Sequence, residues 1–202
     1  MNEIDSYIYG LLITDGYLCV QVRNRGHVSL ELDVKDRDII DKLYSLIPNS
    51  TVKDCIRDTH FKNNCHTVIF RNSRLWFRTK LIDQGFSTKN KTFNANPPII
   101  SYNEYHFWRG AIDGDGCLGI TKDNRPYITF STASETLKNS YLKFLKNLLN
   151  INKSVKKSKD GVYSLKVSGK KAVELVRLLY INNPGLSINR KQLIAEKINK
   201  LF

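Results

Sequence analysis

The feature that most constrains this chain is an internal repeat at an offset of 100 residues. Tyr9-Gly10-Leu11-Leu12-Ile13-Thr14-Asp15-Gly16 lies over Arg109-Gly110-Ala111-Ile112-Asp113-Gly114-Asp115-Gly116, and Gly85, Ser87 and Lys91 lie over Gly185, Ser187 and Lys191. One offset that holds at both ends of a 100-residue unit means one supersecondary arrangement built twice. Any fold assigned to the first half must therefore also suit the second.

Each half reads as the same order of elements. A helix ends at the Asp-Gly pair; then Leu18, Val20 and Val22 alternate with Tyr17, Cys19, Gln21 and Arg23, the period of a half-exposed strand. Val28, Leu30, Leu32 and Val34 form the return strand, and Ile39, Ile40, Leu43 and Leu46 mark a helix closed by Pro48. A second hairpin near 51–57 and 65–71 and a helix near 73–84 complete the unit. The second half repeats this with strands near 117–122 and 126–132, a helix near 134–149, strands near 154–158 and 162–168, and a helix near 170–181. A terminal helix follows at 187–201. The order αββαββα, twice, predicts an α+β fold with antiparallel sheets in two pseudo-symmetric halves. The halves divide as 1–93 and 101–202 with a linker at 94–100, the end of a stretch from Phe86 to Ile100 whose Pro97 and Pro98 favour extended chain. Ser101 with Glu104 makes a capping box at the next helix start.

With 202 residues, 41% of them hydrophobic and 25% charged, the composition excludes disorder, collagen and a small disulfide scaffold. The longest apolar run, Tyr7 to Ile13, falls far short of the roughly 20 residues of a membrane helix, and no basic stretch precedes an apolar signal core. A soluble, intracellular protein is expected. Cys19, Cys55, Cys65 and Cys117 lack C-x-x-C spacing, which favours free thiols. The net charge is +13, and it is uneven: residues 1–100 carry 14 basic and 11 acidic side chains, residues 101–202 carry 18 and 8. Such an excess points to a polyanion, nucleic acid first among them.

Gly10 with Thr14, and Gly110 with Gly114, put small residues four apart, so each motif helix has a stripe where another backbone fits closely. Spacing alone leaves a bare helix crossing and a chemical site both open. Asp15 and Asp115 favour the site. Gly16 and Gly116 read as left-handed residues past a helix end, which puts each aspartate beside unsatisfied carbonyls at the negative end of the helix dipole. If the two helices run side by side, two carboxylates converge, and a cation is needed between them; hard oxygen ligands of this kind suit Mg²⁺. Asp113 faces Ile13 across the repeat, so a local capping or solvated role is expected for it.

These two segments, Ile8 to Gly16 and Trp108 to Gly116, resemble the paired motifs of single-chain, two-repeat LAGLIDADG homing endonucleases. The resemblance covers nearly the whole chain, although Ile13 and Thr14 stand where the family name has Asp and Ala. It implies that the helices form the interface of the halves, that Asp15 and Asp115 bind divalent metal beside the Gly16 and Gly116 backbone, and that the sheets make a saddle over duplex DNA. Mg²⁺, with Mn²⁺ as a substitute, is the implied cofactor of double-strand cleavage, and intron homing the implied context. A basic residue after each half's last helix lies beside the metal in this family. Lys91 and Lys191 match that pattern, with Lys89 and its counterpart Asn189 competing locally.

The base-reading surface should be the solvent face of the strands. In the first half that face offers Tyr17, Gln21, Arg23, Ser29, Glu31, Lys53 and Arg57. In the second it offers Thr121, Tyr127, Thr129, Ser131, Lys156, Ser164 and Lys166. The two sets differ, so the DNA target is expected to be non-palindromic and the protein a monomer. Zinc at Cys55, His60, Cys65 and His66 is disfavoured, because adjacent strand residues face opposite ways. Trp76, Phe77, Phe107 and Trp108 are expected in the core. The alternative to a nuclease is a maturase acting on intron RNA, or a non-cutting DNA-binding protein, on the same scaffold.

Overall fold

The computed structural model describes residues 1–58, 63–87 and 91–201. In chain order its elements are α1 (Glu3–Asp15), β1 (Gly16–Val20), β2 (Gly26–Asp33), α2 (Arg37–Leu46), β3 (Ser50–Arg57), β4 (Cys65–Asn72), α3 (Leu75–Asp83), α4 (Lys91–Asn94), α5 (Glu104–Asp115), β5 (Gly116–Ile120), β6 (Pro126–Thr132), α6 (Glu135–Leu149), β7 (Tyr163–Ser168), α7 (Lys170–Val176) and α8 (Asn189–Leu201). A 3₁₀ turn at Val34–Asp36 leads into α2, and α7 widens into a π-helical stretch over Arg177–Ile181. The architecture is α+β, with sheet orders β1-β2-β4-β3 and β5-β6-β7, every pair antiparallel.

Helices α1 and α5 lie side by side in the same direction between the sheets. A Cβ added at Gly10 would stand 2.1 Å from the Phe107 carbonyl oxygen, and one at Gly110 would stand 2.2 Å from that of Tyr7. Only glycine lets the two backbones touch at these positions. Around this seam Tyr7, Tyr9, Leu11, Leu12, Phe107, Trp108, Ala111 and Ile112 are fully buried, and the inward rows Val28, Leu30, Phe70 and Ile128, Phe130, Leu165 cover them from each sheet. Packing of the apolar stripes holds these helices far more than their intrinsic propensity does.

Several local expectations change. The capping box at Ser101 does not form; Asn103 caps α5 instead, its amide oxygen accepting from the Tyr105 and His106 N–H groups at 3.1 and 3.3 Å. Gly16 and Gly116 are extended, with φ of −74° and −114°, because each already begins a strand. Their need for glycine is steric: an added Cβ would meet the Leu12 or the Ile112 carbonyl oxygen at 2.5 Å. The stretch 86–100 is interrupted by α4, whose Lys91 reaches under the end of α1. Phe77, Phe107 and Trp108 are buried as expected, whereas Trp76 lies on the outer side of α3 at 46% exposure.

The largest departure is the strand near 154–158, which does not form, leaving the second sheet with three strands. Its counterpart β3 is polar too, but ion pairs tie it to its neighbours: Asp54 meets Arg37 at 2.7 Å and His66 at 2.9 Å, and Arg57 meets Glu31 at 2.6 Å. Between Lys143 and Lys159 there are six lysines and no acid. Like charges across a ladder repel, so nothing offsets the ordering cost of an edge strand there. Two backbone bonds, Ser158 N–H to Val162 O at 2.8 Å and Gly161 N–H to Ser158 O at 3.0 Å, mark the turn where the hairpin would start.

Candidate active site and nucleic-acid interface

Asp15 and Asp115 end α1 and α5, and because these helices run parallel the two last turns meet. An added Cβ at Gly114 would lie 1.9 Å from Thr14 Oγ1 and 2.8 Å from Asp15 Oδ2, so the Asp15 carboxylate sits directly against the last turn of the opposite helix. Both carboxylates keep solvent access, yet most of their surroundings are protein. Desolvation, followed by the Asp115 charge, pushes Asp15 up to about 6 against the partial relief of Lys91 and Lys191. Asp115 is raised as well, chiefly by desolvation. Two crowded carboxylates at the negative ends of two helix dipoles fit a hard divalent cation, which would relieve both strains. Among the described residues no group of three or more His, Cys, Asp or Glu gathers to hold a metal, so oxygen from water and substrate would complete the shell. Cys55, Cys65 and His66 make no such group, and His60 lies outside the described residues.

The two lysines are brought to this place. Lys91 Nζ donates to the Thr14 and Gly16 carbonyls. Lys191 Nζ donates to the carbonyls of Ile112, Asp113 and Gly116 at 2.7, 2.6 and 2.9 Å. Each ammonium thus caps the carbonyl-rich end of its own motif helix, and the Gly16 and Gly116 oxygens face lysine. Burial lowers both lysines, while the nearby aspartates oppose that shift. Lys89 lies outside the described residues. Asn189 is turned away from the centre: it accepts from Lys42 Nζ at 2.7 Å, and its backbone N–H donates to Asp38 at 2.9 Å.

Asp113 is neither a cap nor solvated. It is buried and accepts from Tyr7 Oη, Tyr180 Oη and the Ile188 N–H at 2.7, 2.8 and 2.8 Å. A single sequence carries no signal for this, because all three donors are distant in the chain.

Beyond the helix ends the strands open into two polar faces. Tyr17, Ser29, Arg71 and Thr51 form one cross-strand row, and Glu31, Ile69 and Lys53 the next, with Arg57 farther out. In the second sheet Cys117, Thr129 and Lys166 make the matching row, flanked by Ser131 with Ser164 and by Tyr127 with Ser168. None of these side chains is buried. Gln21 and Arg23 are not on a strand, because β1 ends at Val20 and Arg23 and Asn24 turn the hairpin at φ of +56° and +57°. Thr121 likewise lies in the turn after β5, where its hydroxyl accepts from the Arg125 N–H at 3.1 Å. Lys156 sits on the lysine-rich segment that replaces a strand. Glu31 is occupied by Arg57 and Thr67. Arg71, held by His27 at 2.8 Å, was missed. It occupies the same row position as Lys166, at an offset of 95 rather than 100, because the second half has lost residues between its strands; alternation through Thr67, Ile69 and Arg71 was the available signal.

Comparison with known proteins agrees with this geometry. Residues 104–180 match the family model of the LAGLIDADG-like domain. No curated protein matches the chain in sequence. Among solved structures, the homing endonuclease I-WcaI bound to its DNA recognition sequence superposes with a TM-score of 0.66 at 17% identity, over 96% of this chain and 87% of that one. I-DmoI in complex with DNA and Mn gives 0.56 at 16% identity, over 90% and 98%. The N-terminal LAGLIDADG domain of DUF199/WhiA gives 0.56 at 14%, over 93% and 86%. Residues 104–180 thus resemble a LAGLIDADG-like domain, and the chain as a whole takes the fold seen in these homing-endonuclease structures.

Proposed function

We propose that this protein is a site-specific endonuclease that hydrolyses both strands of duplex DNA with Mg²⁺, or Mn²⁺ in its place, held between Asp15 and Asp115. The observation that carries the reading is the convergence of these two raised carboxylates at parallel helix ends, each end backed by a lysine, Lys191 buried and Lys91 half-buried. A protein that only binds DNA has no use for such an electrostatically costly pair. I-DmoI, of the same fold, is described with DNA and Mn, and I-SmaMI with its DNA target and calcium ions.

A bound divalent cation supplies an activated water and neutralises charge on the scissile phosphate. The chain does the rest. Asp15 and Asp115 present oxygen from opposite halves, so a cation bound by both would serve the two strands from one place. Lys91 and Lys191 neutralise the helix ends and favour the ionised form of both carboxylates against the desolvation that raises them. In this reading the cross-strand rows that include Tyr17 and Cys117 contact DNA, and Arg71, Lys53, Arg57, Thr129, Ser131, Ser164 and Lys166 are the side chains that would read its grooves. As the two rows differ, the target is non-palindromic.

Cleavage of a randomised plasmid library, with Mg²⁺ and with EDTA, tests this reading. Linear product with Mg²⁺ that disappears with EDTA and in Asp15→Asn or Asp115→Asn is expected. Specific binding without cutting in the presence of Mg²⁺ would assign the chain to the non-cutting class, and preference for structured RNA would favour a maturase.

A further inference from the structure

The two lysines are equivalent by repeat but not by surroundings. Position 13 is Ile and position 113 is Asp, and the carboxylate of Asp113 is only 2% exposed. Burying a carboxylate is costly unless hydrogen-bond donors meet it, and here three do: the hydroxyls of Tyr7 and Tyr180 and the N–H of Ile188. Ile188 opens the turn that carries Lys191, since the Lys191 and Gln192 N–H groups both donate to its carbonyl at 3.0 Å. The carboxylate therefore grips the chain three residues before the lysine. Lys191 in turn is 3% exposed and has three carbonyl acceptors, one of them on Asp113 itself.

At the pseudo-equivalent position in the first half there is no carboxylate to make such bonds. Ile13 has no side-chain acceptor, Lys91 has two carbonyl acceptors among the described residues, and the lysine is partly exposed beside a cavity of 80 Å³ lined by Thr14, Lys91, Thr92 and Asp115 among others. Lys191 is enclosed, whereas Lys91 borders a cavity.

We infer that Asp113 is a positioning residue for Lys191 alone, and that it makes the two strand cuts unequal. The inference rests on the endonuclease reading for its kinetic consequence, but not for its structural one. Asp113 touches no substrate; it acts by fixing the Ile188 backbone and so the place of the Lys191 ammonium. Residues that orient functional side chains in this way commonly change activity by about tenfold or more when replaced.

The test follows both strands of a target duplex, each with its own end label, and compares their cutting rates in wild type, Asp113→Asn, Lys191→Met and the double variant. Asp113→Asn should slow one strand about tenfold more than the other and accumulate nicked duplex. In the Lys191→Met background the same change should shift the ratio no further. Hydrogen exchange of the metal-free protein should show the Ile188 amide losing protection in Asp113→Asn, with α1 amides unaffected. Tyr180→Phe, which loosens the carboxylate without removing it, should act in the same direction and more weakly, and keeps the test open if Asp113→Asn folds poorly. Equal slowing of both strands, an undiminished shift in the Lys191→Met background, or unchanged Ile188 protection would overturn the inference. If the wild type cuts no DNA, the endonuclease reading fails, and the Ile188 exchange result still decides whether Asp113 positions the lysine segment.

Discussion

Asp15 ionises against its surroundings. Its native pKa of about 6 lies above the ordinary 3.8 of an unfolded aspartate, so the folded protein holds the proton more tightly. The sign follows: below about pH 4 the group costs nothing, and as pH rises through 6 its charge destabilises the fold. Asp15→Asn should therefore raise Tm of the metal-free protein at pH 7 to 8, with a gain that shrinks to nothing near pH 4 in thermal melts. Mg²⁺-dependent cleavage should fall as pH drops below about 6, because the proton and the cation compete for the same carboxylate. Lys191 behaves oppositely: removing it takes a donor from three carbonyls at once, of which Ile112 keeps the Gly116 N–H, so Lys191→Ala should destabilise by about 1–3 kcal/mol, seen as a lower urea midpoint with unchanged slope. The aspartates and both lysines were legible because the repeat put them in register. Asp113 was not, because its partners at 7, 180 and 188 are joined to it only by tertiary packing.

At the scale of elements, the strand pattern located all seven strands that form and one, near 154–158, that does not, and the helical stripes located the main helices. The reading failed where pattern and energetics disagree. Residues 154–158 alternate well enough, yet no acid among the neighbouring lysines offers the cross-strand pairs that hold β3. Hairpin ends failed for another reason: Val22 extends the apolar alternation of β1 but is almost fully exposed, because Arg23 and Asn24 already turn the chain. The strandless segment has a functional consequence. Lys153, Lys156 and Lys159 are exposed beside the second sheet without ion-pair partners among the described residues, and flexible lysines bind phosphate rather than read bases. Changing all three to Gln should lower the salt slope of duplex binding by up to about 3 while leaving base preference unchanged. Arg71→Ala should instead relax preference at particular positions, as measured by binding to a substitution series.

The whole molecule is held by crossed docking in addition to the α1–α5 seam. The Lys191 segment belongs to the second half but rests on the first: Arg190 grips Asp36 through two bonds of 2.8 and 2.7 Å, and Lys42 reaches the Ser187 carbonyl at 3.0 Å. The segment after α4 does the converse, the Ala95 carbonyl accepting from Ser134 Oγ of the second half at 2.6 Å. Each lysine thus caps its own helix while its chain is anchored on the other half, so separating the halves would dismantle both sides of the site. This interlocking already supplies in one chain what a symmetric dimer would supply from two, and equilibrium sedimentation without DNA should give the mass of a single chain. Arg190→Ala tests the interlock itself. It leaves Asp36 buried without its bidentate partner, but the arginine side chain is 42% exposed. Solvent screening therefore limits the cost to about 1 kcal/mol, or about 2–4 °C of Tm for a chain of this size. Because the grip lies one residue from Lys191, cleavage should suffer more than stability does. A fall in Tm with undiminished cutting would show that the docking serves only the fold.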